Sequence, residues 1–256
     1  MLIEERLEKL LKIVNERGSI TAKEAGSILK VSNDTIRRDF IRLSKMGLIL
    51  RTHGGIISNK NTIYEYSTKP NGKIQNHYDN KVLIARQAVS LIQNGETIIL
   101  DGGTTTFEIA KLLGDFQDLT VLTYGLNIAY ETCKYDKVST IIFGGMVSSK
   151  SMAVLGPDAA AMIRNYHGDK LFLAVNAMTI EKGLMTPNRM QADLKKELIK
   201  ITNEVIVVAD SSKINKTALF TFCSINDISQ LITDAEADQE FLEEFKNRNI
   251  KVFIAK

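Results

Sequence analysis

Residues 31–40 read VSNDTIRRDF, and the spacing of their apolar members predicts a helix with one buried side. Ser32 can cap that helix, and its apolar stripe continues beyond the quoted stretch as Ile36, Phe40, Leu43 and Met46. Burying this stripe turns a polar set outward, namely Asn33, Asp34, Arg37, Arg38, Arg42 and Lys45. Most of that set is basic, which suits a helix lying among phosphates.

Helical spacing continues upstream of this stretch. Apolar residues between Leu7 and Val14 recur at three and four positions and predict a first helix over residues 3–16. Thr21 and Glu24 then form the S/T-x-x-E capping pattern, which opens a second helix ending near Lys30. We expect that second helix to turn three residues inward: Ala25, Ile28 and Leu29.

Downstream, residues 48–53 and 56–57 predict two short strands on either side of Gly54-Gly55. Three helices followed by such a hairpin predict a winged helix-turn-helix over residues 1–57, whose third helix would enter the major groove of DNA. We predict the following DNA-binding residues: Ser32, Asn33, Thr35, Arg37, Arg38, Arg42, Lys45, Arg51 and His53. The alternative is that the outward arginines form only a solvated surface.

The charge distribution agrees with a DNA-binding N-terminal region. Residues 1–60 contain 12 Lys or Arg and 7 Asp or Glu, a net charge of +5, whereas the whole chain carries only +3. A basic segment on a nearly neutral body is typical of a protein that meets a polyanion. Composition is otherwise that of a globular protein, with 44% hydrophobic and 25% charged residues.

Residues 58–75 are rich in Asn, Ser, Lys and Gly without apolar periodicity, which predicts a linker. From residue 76 to 256, short β-rich runs alternate with helical segments, and this alternation predicts an α/β domain with a mainly parallel sheet covered by helices. The predicted strands are Thr97–Asp101, Leu119–Thr123, Val138–Phe143, Lys170–Val175, Glu204–Ala209, Gln230–Thr233 and Lys251–Ile254. The helices predicted between them are Thr105–Leu113, Leu126–Cys133, Pro157–Asn165, Arg189–Ile201 and Gln239–Asn249, after one that begins near Asn80.

Residues 98–106 read IILDGGTTT and run from the end of a predicted strand into the start of a predicted helix. Two glycines let the backbone approach a ligand, and the hydroxyls and first-turn N–H groups suit a phosphate. Because ligands of open α/β sheets bind beyond the carboxyl ends of the strands, we expect several strand ends to line one crevice. The predicted effector-binding residues are Asp101, Gly102, Gly103, Thr104, Thr105, Thr106, Tyr124, Gly144, Gly145, Asp210 and Lys213. A purely structural turn and an ordinary surface lysine remain the alternatives.

The chain resembles the DeoR family of bacterial regulators. In the first domain the resemblance lies in Thr35-Ile36-Arg37-Arg38-Asp39 and His53-Gly54-Gly55, and in the second in residues 101–106, 209–213 and 232–234. The resemblance implies a winged helix-turn-helix joined to an effector domain related in fold to ribose-5-phosphate isomerase and the coenzyme A transferases. It also implies a repressor of sugar-metabolism genes that a phosphorylated sugar releases from its operator. Tyr124 departs from the family, which usually has Asn after the preceding threonine, so the identity of the sugar is not carried over.

We therefore expect a DNA-binding transcriptional regulator that is not an enzyme and needs no cofactor or metal. Its expected partners are double-stranded operator DNA, a phosphorylated sugar and further copies of itself in a homodimer or homotetramer. No membrane partner is expected, and the charged, amphipathic start of the chain and its two distant cysteines favour the cytoplasm. The alternatives are a sugar-phosphate isomerase-like enzyme, with Asp101, Asp210 or Glu181 as base, and an adaptor that does not bind DNA.

Overall fold

The computed structural model describes residues 3–45, 49–52, 54–58 and 77–256. The chain divides into two compact units, Met1–Glu65 and Tyr66–Lys256. Nearly all of the predicted linker, residues 58–75, lies outside the described residues, so the domain boundaries at 57 and 76 stay a prediction.

Within the described residues, the smaller unit combines three helices with a three-stranded antiparallel sheet. Its elements are α1 Ile3–Arg17, β1 Ser19–Thr21, α2 Ala22–Leu29, α3 Asn33–Lys45, β2 Ile49–Arg51 and β3 Gly55–Ser58. The strand order is β1-β3-β2, so the β2–β3 hairpin forms the predicted wing and the unpredicted β1 pairs with its second strand. The winged helix-turn-helix is thus confirmed.

The predicted cap fixes where α2 begins. The Glu24 N–H donates to Thr21 Oγ1 at 3.3 Å, and the Thr21 N–H donates to Glu24 Oε2 at 2.9 Å, which satisfies N–H groups that a helix start leaves open. Lys30 ends the helix in the left-handed conformation, with φ 53°. The turn between α2 and α3 is therefore short and defined.

The core of the smaller unit follows the predicted stripe of α3. Ile36, Phe40 and Leu43 are buried together with residues from the other elements, namely Leu10, Val14, Ile20, Ala22, Ala25, Ile49 and Ile56. The prediction for Ile28 was wrong, because 44% of this residue is exposed. The buried side of α2 consists of small residues, Ala22, Ala25 and Gly26, and Ile28 lies off that side. Met46 lies outside the described residues.

The larger unit alternates strands with helices along its whole length. It begins with α4 Tyr78–Val89, β4 Thr97–Leu100, α5 Thr104–Ala110, β5 Leu119–Thr123, α6 Leu126–Thr132, β6 Val138–Ile142, β7 Met146–Ser148, β8 Ala153–Leu155 and α7 Pro157–Ile163. It continues with β9 Gly168–Ala174, β10 Ala177–Thr179, β11 Gly183–Thr186, α8 Arg189–Lys200, β12 Thr202–Val208, β13 Phe220–Cys223, β14 Gln230–Asp234, α9 Gln239–Asn247 and β15 Lys251–Ala255. Two short 3-10 helices, Ser211–Lys213 and Ile225–Asp227, follow β12 and β13.

The seven predicted strands form one parallel sheet in the order β15-β14-β12-β9-β4-β5-β6. The mainly parallel α/β fold class is thus confirmed. The chain starts in the middle at β4, runs outward through β5 and β6, and returns to β9 before it builds the other half. The switch in direction lies between β4 and β9, where loops of the two strands diverge and open sheets bind ligands.

Two small antiparallel sheets, β7-β8 and β10-β11-β13, accompany the main sheet. Of the two cysteines, Cys223 is buried and Cys133 is exposed. Among the described residues, no helix combines the length and apolarity that crossing a bilayer requires.

Candidate DNA-binding surface and effector site

The third helix has the two-sided character that its sequence predicts. Arg37, Arg38 and Arg42 are exposed on the side opposite the buried stripe. Arg37 approaches Asp34 only at 4.0 Å, with both side chains largely exposed, and such a surface pair contributes little. The guanidinium groups of this helix are therefore available to an external partner.

The start of α3 is held by its own side chains. The Thr35 N–H donates to Ser32 Oγ at 3.3 Å, and the two hydroxyl oxygens are 2.9 Å apart. Ser32 and Asn33 are exposed and Thr35 is half-buried, so all three remain at the surface as predicted. Arg51 is exposed on β2. The side chain of Lys45 and the whole of His53 lie outside the described residues.

The arginines are positioned by a residue whose role the sequence analysis missed. Asp39 lies on the inner side of α3, and Arg6 of α1 donates to both of its carboxylate oxygens, at 2.5 and 3.2 Å. Asp39 is only 1% exposed. In the Thr-Ile-Arg-Arg-Asp block, the two arginines therefore point outward while the aspartate fastens the helix to the domain.

In the larger unit, Asp101 follows β4 directly and is fully buried. Its carboxylate accepts hydrogen bonds from Tyr124 Oη, from Lys195 Nζ and, at 3.0 Å, from the N–H of Ala174. These donors join β4, β5, β9 and α8 at the switch point of the sheet. Asp101 was predicted to bind the effector, but with these three donors its carboxylate is placed to orient its neighbours.

Lys195 is the partner that sequence reasoning missed. Its Nζ also donates to the Ala174 carbonyl at 2.8 Å and stands 5.3 Å from the centroid of the Phe222 ring. The signal was available, because Lys195 lies three residues after Ala192 and three before Leu198, on the buried side of α8. A lysine on an apolar helical stripe needs a buried acid, and Asp101 supplies it.

The Gly-Gly-Thr turn is tightly packed against its neighbours. A Cβ at Gly102 would come within 2.7 Å of Tyr124 Cε2, and one at Gly103 within 2.7 Å of the Cβ of Ala174. The Thr106 hydroxyl donates to the backbone carbonyls of Asp101, at 2.5 Å, and Gly103, at 3.0 Å. Thr105 is buried and Thr104 is partly exposed, so Thr104 and the glycine backbone form the accessible part of this turn.

Tyr124 is wholly buried. Burial raises its pKa well above the ordinary value, and the charge of Asp101 raises it further, so the phenol stays protonated and donates to that carboxylate. Tyr124 thus supports the Gly102 turn from within.

A second group of predicted residues follows β12. Asp210 is 1% exposed and accepts hydrogen bonds from the N–H of Ser212, at 3.1 Å, and from its hydroxyl. Asp234, at the end of β14, accepts from the Ser211 N–H at 2.8 Å. Lys213 is half-buried at the end of the 3-10 helix. The turn is therefore a fixed scaffold that presents Lys213.

The sheet order divides the predicted effector set. Gly144 and Gly145 follow the edge strand β6, which lies four places from β12. At about 4.8 Å per strand, those strand ends are about 19 Å apart. Gly145, with φ 148°, lies instead beside β8, where a Cβ would be 3.0 Å from the Leu155 carbonyl oxygen. The ends of β4, β9 and β12, in contrast, are adjacent.

Among the described residues, His, Cys, Asp and Glu side chains form no group able to hold a metal ion. The architecture as a whole is that of a ligand-responsive transcriptional regulator, in which a winged helix-turn-helix with outward arginines precedes an α/β sensor unit. Residues 6–62 match the DeoR-like helix-turn-helix domain and residues 76–235 match the DeoR C terminal sensor domain. The chain belongs to the DeoR family.

Two relatives that the chain matches are named as transcriptional regulators. YulB of Bacillus subtilis, an uncharacterized HTH-type transcriptional regulator, is 35% identical over 98% of this chain and 96% of its own length. The HTH-type transcriptional repressor GlcR of the same organism is 29% identical over 99% of this chain and 97% of its own length. Ribose 5-phosphate isomerase A of Methanocaldococcus jannaschii matches 54% of this chain and 55% of its own, with a TM-score of 0.40 and 17% identity.

Proposed function

We propose that this chain represses sugar-metabolism genes, binds operator DNA with α3 and the wing, and leaves the DNA when a phosphorylated sugar binds the larger unit. The observation that carries the DNA-binding part is the division of α3 into a buried apolar side and an exposed side with Arg37, Arg38 and Arg42. Repression is supported by GlcR, a relative that is named a transcriptional repressor.

The proposed DNA contacts follow from the docking geometry of helix-turn-helix domains. The N-terminal part of α3 would reach base edges, with Arg37 or Arg38 on guanine, and Arg42 and Arg51 would contact phosphates. We include Ser32, Asn33, Thr35, Lys45 and His53 in this surface. Operators with repeated half-sites would require the chain to form a homodimer or homotetramer. We propose that the protein binds its operator in the cytoplasm.

For the effector, we propose the carboxyl edge of β4, β9 and β12. The switch point of the sheet lies there, with Lys213 after β12, the accessible backbone of Gly102 and Gly103 after β4, and β9 between these two strands. The side chains of Asp101, Tyr124 and Thr106 already form hydrogen bonds within the protein. They would therefore hold the site in shape rather than contact the effector. Gly144 and Gly145, which follow the edge strand β6, would not contact this ligand.

We also propose that the chain is not an enzyme. An isomerase would need a base free to take a proton from the substrate. Asp101 is held by Lys195 and Tyr124, Asp210 is held by Ser212, and the third candidate, Glu181, is exposed. A turnover assay with aldose and ketose phosphates tests this, and substantial isomerisation would contradict it.

Operator binding is tested with gel shifts at increasing salt, using DNA from upstream of the gene itself and of neighbouring genes. Affinity that falls with log salt by a slope of several units supports phosphate contacts, whereas absent retardation at low salt supports the adaptor. A thermal-shift screen against phosphorylated sugars identifies the effector, because a ligand of the folded state raises Tm. If none of them raises Tm, the sensor proposal fails.

A further inference from the structure

Among the described residues of α3, one large apolar side chain is exposed beside the arginines. This residue is Ile41, which is 38% exposed. The apolar stripe on the other side of the helix is buried, namely Ile36, Phe40 and Leu43. Ile41 therefore lies outside the core of the smaller unit, and it is also absent from the predicted DNA-binding residues.

Ile41 lies in the middle of the basic surface rather than at its border. At 3.6 residues per turn, it is rotated about 40° around the helix axis from Arg37 and about 60°, in the opposite direction, from Arg38. Both arginines are exposed one turn before it, and Arg42 is exposed directly after it. Three guanidinium groups therefore surround this apolar side chain.

Neither solvation nor helix formation favours isoleucine at this position. Single exposed apolar residues are common on protein surfaces, but they gain nothing from contact with water. Isoleucine is also a weaker helix former than alanine, lysine or glutamate, because its branched Cβ restricts the side chain. Contact with an apolar group of a binding partner would offset both disadvantages.

DNA presents such a group in its major groove. The base edges there carry hydrogen-bond donors and acceptors, and thymine adds an apolar C5-methyl group. A helix in the groove turns the middle of its exposed side to the base edges, while longer basic side chains at its flanks reach phosphates. The surrounding arginines favour a polyanion over an apolar protein surface. The place of Ile41 on α3 thus fits a thymine.

We propose that Ile41 is a specificity-determining residue that packs against the methyl group of a thymine in the operator. The inference rests on the proposed function and adds an apolar base contact to the contacts of the arginines. Burial of one methyl group changes affinity about fourfold. An operator with thymine at this position is therefore preferred by about that factor over one that keeps the hydrogen-bonding groups but lacks the methyl.

Replacement of thymine by deoxyuridine tests the contact, because it removes the methyl group and leaves the hydrogen-bonding groups of the base unchanged. The shortest upstream duplex that the wild type retards in the gel shifts is synthesised with each of its thymines replaced in turn. Fluorescence anisotropy with the full chain at one salt concentration gives a Kd for every duplex. We expect one of these replacements to weaken wild-type binding about fourfold.

Ile41→Ala completes a double-mutant cycle with that replacement. We expect this variant to bind the unmodified duplex about fourfold more weakly than the wild type and to bind the uracil duplex equally well. Ile41→Val keeps the branched methyl groups and should keep most of the preference for thymine. Ile3→Ala is the matched control, because Ile3 is 46% exposed on α1, outside the proposed DNA-binding surface, and it should prefer thymine as the wild type does. Circular dichroism and Tm establish that each variant is folded.

The contact is overturned if no uracil replacement weakens wild-type binding. It is also overturned if the same replacement weakens Ile41→Ala as much as the wild type, because Ile41 would then act through a contact with protein or with the DNA backbone. The proposed function fails separately. A chain that retards no upstream DNA defeats the function and the inference together, whereas operator binding without this dependence on thymine defeats only the inference.

Discussion

Arg38 is exposed on α3, whereas the next residue, Asp39, is buried, so neighbouring positions of one helix serve different purposes. We predict that Arg38→Ala abolishes operator binding and leaves the fold intact, because its side chain touches none of the core. Fluorescence anisotropy with labelled operator measures binding, and circular dichroism measures folding. Lys12→Ala is the control, since Lys12 is an exposed cation on α1. Wild-type affinity in Arg38→Ala would contradict the assignment.

Asp39→Ala tests the opposite expectation. The substitution leaves Arg6 without its partner, and removal of one member of a buried ion pair costs about 3–5 kcal/mol. Arg6 keeps 10% of its side chain exposed, so we expect about 3 kcal/mol, the lower end of that range. Urea unfolding of the full chain, followed through the transition of the smaller unit, provides the measurement. If Asp39→Ala loses less than about 1 kcal/mol, the ion pair is not what fastens α3.

At the scale of elements, Lys195 and Asp101 connect α8 to the switch point of the sheet. The Lys195 side chain is 4% exposed and that of Asp101 0%, so Lys195→Met leaves a carboxylate buried without a cation. We predict that Lys195→Met destabilises the larger unit by about 4 kcal/mol. Lys196→Met is the control, because the adjacent lysine is exposed, and it should change stability by less than about 0.5 kcal/mol. Equal Tm values for the two variants would contradict the role of Lys195.

The sequence predicts long, periodic elements well and short ones poorly. All seven strands of the main sheet were predicted, because buried parallel strands are continuous apolar runs between helices. The short strands β1, β7, β8, β10, β11 and β13 were missed, because runs of three or four residues are too short to show an alternating pattern. For β1 the pairing is also distant in sequence, since Thr21 lies opposite Gly55. Ile28 was misplaced because the short α2 buries alanines and a glycine rather than its larger residue.

In the candidate sites, too, the sequence predicts the residues that a local pattern defines and misses those that only the assembled fold brings together. The exposed arginines of α3 follow from helical periodicity alone, and the structure places them as predicted. Asp101 and Lys195 are 94 residues apart, so no local pattern reveals that they pair. The separation of Gly145 from Lys213 likewise follows from strand order, which becomes visible only when the sheet is assembled.

At the scale of the whole molecule, a DNA-binding unit and a sensor unit occupy one chain, and the proposed function requires a coupling free energy between their two ligands. Coupling of this kind is usually about 1–3 kcal/mol, which changes affinity about 5- to 150-fold. Linkage requires reciprocity, so operator DNA must weaken effector binding by the same factor. For an enzyme with an accessory domain, operator DNA would not need to change the affinity for the sugar phosphate.

The coupling between effector and operator DNA is measured by titrating the full chain onto labelled operator DNA. The titration is done with and without a saturating sugar phosphate found by the thermal-shift screen. We predict a Kd that rises about 5- to 150-fold in the presence of the sugar phosphate. An operator Kd that stays the same while that sugar phosphate is bound would contradict the coupling between the sensor unit and the DNA-binding unit.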